Sequence, residues 1–194
     1  MSEAALTGGL VDGPADAARA FRAAMEAMAR PGQIMTLPVV DPPAPLSSAA
    51  AVLLLTLVDH ETSLYLAGAH DNPAVREWLT FHTDVVIGCA ADAHWAVGDW
   101  AALQPLDQYP AGTPAYPDRS ATLIVEQPAL SQSGCALSGP GIEAIAYLNL
   151  PDVAVLQANA KRFPLGVDCF FTAGRQVAAL PRSTQIGASS CTSQ

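Results

Sequence analysis

Residues suited to binding an anion sit together near the end of this 194-residue chain, where Arg182, Ser183 and Thr184 follow Pro181. A guanidinium fork flanked by two hydroxyls matches the oxygens of a phosphate. Gly139-Pro140-Gly141 adds a tight turn whose exposed backbone N–H groups form an anion nest, although the same turn also serves purely steric ends. Asp168 is the only carboxylate beyond residue 152, and once buried it requires a partner, Arg182 or Arg162. A structural ion pair and a ligand site are both open readings of these residues.

Other reactive side chains fall short of a complete catalytic set. His60 lies between Asp59 and Glu61, and His82 lies between Phe81 and Thr83 at a helix end, so each has neighbours for acid–base work. Neither belongs to an HExxH pattern, a three-histidine set or a nucleophile elbow, and capping or packing is the simpler role. Cys135 has no neighbour that explains a depressed pKa. Cys89, Cys135, Cys169 and Cys191 contain no CxxC pair, which excludes the usual zinc and iron–sulfur spacings and suits thiols in a reducing compartment. Lys161, the sole lysine, stands beside Arg162 in a solvated setting, whereas a Schiff-base lysine must be desolvated. The expectation is no metal and no cofactor.

The elements that position these residues are legible in part. Pro14 opens a helix that Arg30, Pro31 and Gly32 end, with Phe21, Met25 and Met28 at i, i+4 and i+7 on one face. Ile34, Leu37 and Val39 then form an extended segment broken by Pro38, followed by a stiff proline loop over 41–45. Ser47 or Ser48 caps an apolar run, Ala49 to Val58, read as a helix, with a strand from about Val52 as the alternative. Thr62 to Leu66 alternates as a strand, and Asn72-Pro73 starts a helix to Phe81 with Val75, Trp78 and Leu79 inward. Val85 to Cys89 reads as a strand covered on both faces. From Asp92 to Ser120 dense prolines and glycines predict a long ordered loop, with Trp95 and Trp100 to pack it. Ala121 to Val125 is a strand and Val153 to Asn159 a helix. Strands Val167 to Thr172 and Gln176 to Leu180 form a hairpin across Ala173-Gly174-Arg175. Residues 1–13 and 187–194 are expected to be flexible. These elements make a single α/β domain with a mixed sheet.

Composition narrows the function classes. Half the residues are hydrophobic (51%) and few are charged (14%), which argues against disorder. The longest apolar run has ten residues, Ala49 to Val58, about half of what a membrane span needs. A formal net charge of −9 makes the chain a poor nonspecific nucleic-acid binder. Charge is uneven: residues 153–194 carry Lys161, Arg162, Arg175 and Arg182 against Asp168 alone. No basic region and apolar run open the chain, so the expected location is cytoplasmic.

In order and spacing the chain resembles the H subunit of the bacterial carbon–phosphorus lyase system. The series comprises Phe21-Arg22 to Met25, Ala27-Met28, Arg30-Pro31-Gly32, Asp59 with Thr62, and Phe81-His82-Thr83. It continues through Gly112-Thr113, Leu137, Gly139-Pro140-Gly141-Ile142, Phe163-Pro164-Leu165-Gly166-Val167-Asp168 and Pro181-Arg182-Ser183-Thr184. The resemblance covers residues 14–186. It implies a cytoplasmic homodimer similar in fold to pyridoxal-phosphate-dependent transferases but without their cofactor, working with sister subunits of a core complex. That complex couples a phosphonate to the ribose of ATP with loss of adenine, and a different, radical iron–sulfur subunit later breaks the carbon–phosphorus bond. The resemblance assigns no catalytic residue. The implied function is therefore a non-radical accessory subunit. The alternative is a stand-alone enzyme binding a phosphonate or nucleotide through Gly139, Gly141, Asp168, Arg182, Ser183 and Thr184.

Overall fold

A computed structural model describes residues 7–189. Its helices are α1 (Gly13–Ala29), α2 (Ser48–Leu57), α3 (Pro73–Thr83) and α4 (Val153–Ala160). The strands are β1 (Met35–Thr36), β2 (Ser63–Leu66), β3 (Val86–Ile87), β4 (Trp95–Asp99), β5 (Thr122–Glu126), β6 (Cys135–Ser138), β7 (Ala146–Leu148), β8 (Asp168–Ala173), β9 (Gln176–Leu180) and β10 (Gln185–Ser189). Among the described residues no helix is long and apolar enough to cross a membrane.

A seven-stranded sheet in the order β1-β9-β8-β5-β4-β2-β3 carries the fold. Neighbours from β3 through β8 are parallel, whereas β9 returns antiparallel beside β8 and β1 antiparallel beside β9. The mixed α/β sheet is thus present, with parallel strands built by crossovers and one hairpin. A smaller antiparallel sheet, β10-β6-β7, lies on one side.

Side chains alternate between two cores. Leu64, Leu66, Val97, Ile124 and Phe170 face α1, α2 and α3. Ala96, Leu123, Val125 and Phe171 face Leu103, Leu106, Leu137, Leu148 and Leu156, from the segment after β4, the small sheet and α4. Helix α2 is buried along its whole first half, Ala49 to Leu54, which explains why its apolar run shows no single wet face. Its amino end is capped by Ser47, whose hydroxyl accepts from Ala50 N at 3.1 Å. Val75, Trp78 and Leu79 of α3 are buried as the spacing predicts.

Four expectations need correction. The segment from Asp92 contains β4, a central strand, because its two flanking strands supply hydrogen bonds that override its Gly98 and the prolines that follow. The expected Val85–Cys89 strand shrinks to two residues at the open edge, and Val86 is 57% exposed rather than covered. Helix α1 is rotated from its predicted face: Ala20, Ala24 and Ala27 are buried, letting it approach α2 closely, while Phe21 (49% exposed) and Met25 (58%) point out. Residues 187–189, expected to be frayed, complete β10 by pairing with β6. Residues 1–6 and 190–194, including Cys191, fall outside the described residues. In the other terminal stretch Thr7 O accepts from the Trp78 indole at 2.9 Å and Gly8 O from Asp41 N at 3.0 Å.

Asn72 knits this framework where β2 gives way to α3. Its Oδ1 accepts from Val75 N at 3.0 Å, and its amide donates to Ala69 O at 3.0 Å and Ala44 O at 3.3 Å. Asn72→Ala should therefore lower the free energy of unfolding by about 1–2 kcal/mol in urea denaturation, with the slope unchanged.

Candidate functional site

The anion candidates gather at the amino edge of the parallel strands. Asp168 is the first residue of β8, and its Oδ1 accepts from Arg182 N at 2.8 Å and Arg182 Nε at 3.1 Å. Its Oδ2 accepts from Arg182 Nη2 at 2.5 Å, which completes a bidentate pair. Arg182 Nη1 donates to Pro117 O at 2.9 Å and Pro164 O at 3.5 Å. One guanidinium thus ties three proline-rich segments together, and of Asp168's two sequence-level partners Arg182 holds it. Arg162 is exposed and lies on the turn after α4, as does Lys161.

Gly139 and Gly141 stand beside this latch. Ile142 N donates to Gly139 O at 3.1 Å, closing the turn. A Cβ at Gly139 would meet Ser183 O at 3.3 Å, so the two candidate turns touch. A Cβ at Gly141 would lie 1.9 Å from Ala29 O at the carboxyl end of α1, and its φ of +81° also favours glycine. Thr184 is buried with its hydroxyl unpartnered, while Ser183 is half-buried.

Elsewhere the histidines and cysteines take packing positions. His82 lies 4.7 Å from the Trp78 ring and 5.0 Å from Phe81, and its Nε2 is 3.4 Å from Thr7 O. His60 is exposed in a turn, where Glu61 N donates to Asp59 Oδ1 at 2.9 Å and the Thr62 hydroxyl donates to Asp59 O at 2.9 Å. Cys135 is buried in β6, and burial pushes the Cys169 thiol above its ordinary pKa. Among the described residues no group of three or more His, Cys, Asp or Glu is placed to hold a metal ion.

The opposite, carboxyl edge holds a cluster that the sequence reading passes over. Asp99, Glu126 and Thr172 are register neighbours across β4, β5 and β8, so they line one row on the helix side. Glu126 Oε1 accepts from Ser47 N at 2.6 Å, at the positive end of α2, and Oε2 accepts from the Thr172 hydroxyl at 2.9 Å. His70, from the turn after β2, brings Nε2 to 4.0 Å from Glu126 Oε1, yet it is 3% exposed and neither ring nitrogen has a hydrogen-bond partner. The chain leaves β2 toward β3 on one side and leaves β4 toward β5 on the other, which makes this edge the switch point where open α/β sheets bind ligands. The signals present in sequence were a histidine four residues past the strand end Leu66 and a glutamate closing the apolar run Leu123–Val125.

Burial drives the His70 pKa down, opposed by the charges of Glu126 and Asp99. With its pKa lowered, the imidazole is neutral in the folded protein at neutral pH. A folded pKa below the unfolded 6.5 means that the unfolded chain takes up protons first as pH falls. The His70 contribution is therefore complete above pH 6.5 and is lost progressively as pH falls from that value to the lower folded pKa. His70→Leu should flatten this part of the melting-temperature profile between pH 7.5 and about 5.5. A variant profile parallel to the wild type would assign the loss to other groups. At the opposite edge, Arg182→Ala should cost about 3 kcal/mol in denaturant titration by stranding Asp168.

A family model described as bacterial phosphonate metabolism protein (PhnH) matches residues 8–187. The alpha-D-ribose 1-methylphosphonate 5-triphosphate synthase subunit PhnH of Rhizobium meliloti (strain 1021) is 38% identical over 191 residues, covering 93% of this chain and 94% of that protein.

Proposed function

The chain belongs to the bacterial phosphonate metabolism protein (PhnH) family, and from that premise we propose that it is a non-radical accessory subunit of the carbon–phosphorus lyase core complex. Its work is in the ATP-dependent activation of organic phosphonates, in which a phosphonate is joined to the ribose of ATP and adenine leaves. The observation that carries this reading is the match along nearly the whole chain to a relative whose name makes it a subunit of a ribose methylphosphonate triphosphate synthase.

The finer readings belong to the same proposal. The chain assembles with sister subunits, forms a homodimer, works in the cytoplasm, and follows the pyridoxal-phosphate-dependent transferase plan without the cofactor. Lys161, its sole lysine, sits exposed at the end of α4, a setting that leaves its ammonium solvated. The Gly139–Thr184 region serves this subunit as a joint, since Arg182 spends its Nε, Nη1 and Nη2 on Asp168 and two carbonyls. A phosphonate or nucleotide ligand would have to use the remaining hydroxyls and turn amides.

Co-expression with the other core subunits tests the reading. A defined complex containing this chain should form, and leaving the chain out should abolish ATP- and phosphonate-dependent release of adenine. A complex that forms and releases adenine at full rate without it would defeat the proposal.

A further inference from the structure

The rotation of α1 leaves its bulky apolar residues on the outside. Ala18, Phe21, Arg22, Met25, Glu26 and Ala29 line an open groove of about 520 Å³ along the helix. Two large apolar side chains half exposed on one stripe, opposite a face of buried alanines, are a pattern of interaction surfaces rather than of solvated helices.

The order of residues within the stripe identifies the occupant. A two-fold axis perpendicular to α1 near position 23 or 24 reverses the helix onto itself. It sets Ala18 opposite Ala29 of a second copy, Phe21 opposite Met25, and Arg22 opposite Glu26. At about 100° per residue, Ala18 and Ala29 lie in the middle of the stripe, Phe21 and Met25 fall to one side, and Arg22 and Glu26 to the other. Each pairing therefore stays on its own side of the seam, as a two-fold requires. Small meets small, apolar meets apolar, and each cation meets an anion. Arg22 has no ion pair within the described residues, while Glu26 already holds Arg30 at 2.9 Å and can accept a second guanidinium.

We propose that the outer face of α1 is the two-fold surface through which a second copy of this chain docks, seamed by Phe21 and Met25 and locked by reciprocal Arg22–Glu26 pairs. This rests on the homodimer reading above and adds its location and charge code.

Sedimentation equilibrium on the full chain tests it. The wild type should be dimeric at micromolar concentration. Met25→Asp, at a solvent-exposed position, should keep the wild-type circular dichroism melt at dilution and raise the dissociation constant by about 30-fold or more, the size of an interface hot spot. Arg22→Glu and Glu26→Arg should each weaken the dimer about tenfold, and the double variant R22E/E26R should return to within about threefold of wild type. A wild-type chain that stays monomeric to about 100 μM overturns both the surface and the homodimer reading. A dimer that survives Met25→Asp, or a double variant no tighter than its singles, overturns the surface alone. Loss of sister subunits from Met25→Asp complexes with self-association intact assigns the face to a sister subunit and equally defeats the proposal, while leaving the subunit role in place.

Discussion

A helix buried on nearly every side must find partners inside the protein for the polar groups at its ends, and α2 is such a helix. Its amides from Ala49 to Leu54 sit where water is excluded, so the orphan N–H groups of its first turn need partners inside the protein. Ser47 serves Ala50 N through its hydroxyl, and its own amide goes to Glu126. That carboxylate is itself nearly buried, and it stays there because the helix end, the Thr172 hydroxyl and the neighbouring imidazole surround it. The positions of β5, β8 and the turn after β2 are thus tied to one point. His70 is the incomplete part of this arrangement, since an imidazole with two unpartnered nitrogens is a cost that the rest of the cluster must carry.

The surface follows from the same core. Once α2 is fixed, α1 covers it through Ala20, Ala24 and Ala27, whose lack of side-chain bulk allows the two axes to come close. Burying Phe21 and Met25 there instead would push α1 off the alanines and open voids beside α2. The larger residues are left outside as a consequence of close packing within, and their exposure becomes tolerable when a second surface covers them.

What was legible in sequence was local. Pro14, Ser47 and Asn72-Pro73 mark the starts of three helices, because capping chemistry resides in one or two residues. The hairpin at Gly174 and the isolation of Asp168 beside Arg182 were readable for the same reason. The strand β4 was not, since Trp95-Ala96-Val97-Gly98-Asp99 becomes a strand only through neighbours that arrive from β2 and β5. The rotation of α1 was hidden because its hydrophobic period is satisfied equally by the alanine face and by the Phe21–Met25 face. The His70–Glu126 cluster depends on the strand order, which brings together residues 99, 126 and 172 from three strands and residue 70 from the turn after a fourth. No short spacing encodes that.

The motifs that carry the family resemblance acquire a physical meaning from their meeting place. Gly141 approaches Ala29 O so closely that any side chain would displace the end of α1, and Gly32 faces Ala146 where a Cβ would come within 2.7 Å. Gly139 abuts Ser183 O, and Arg182 beside it binds Asp168 and the carbonyls of Pro117 and Pro164. Motifs scattered from residue 30 to residue 184 therefore converge on one joint between α1, the small sheet and the amino edge of the large sheet. This joint fixes the carboxyl end of α1 beside the small sheet, and with it the angle at which α1 lies across α2. The most recognisable residues of the chain therefore lie at this joint, away from the carboxyl edge of the large sheet, the edge at which open α/β sheets bind their ligands.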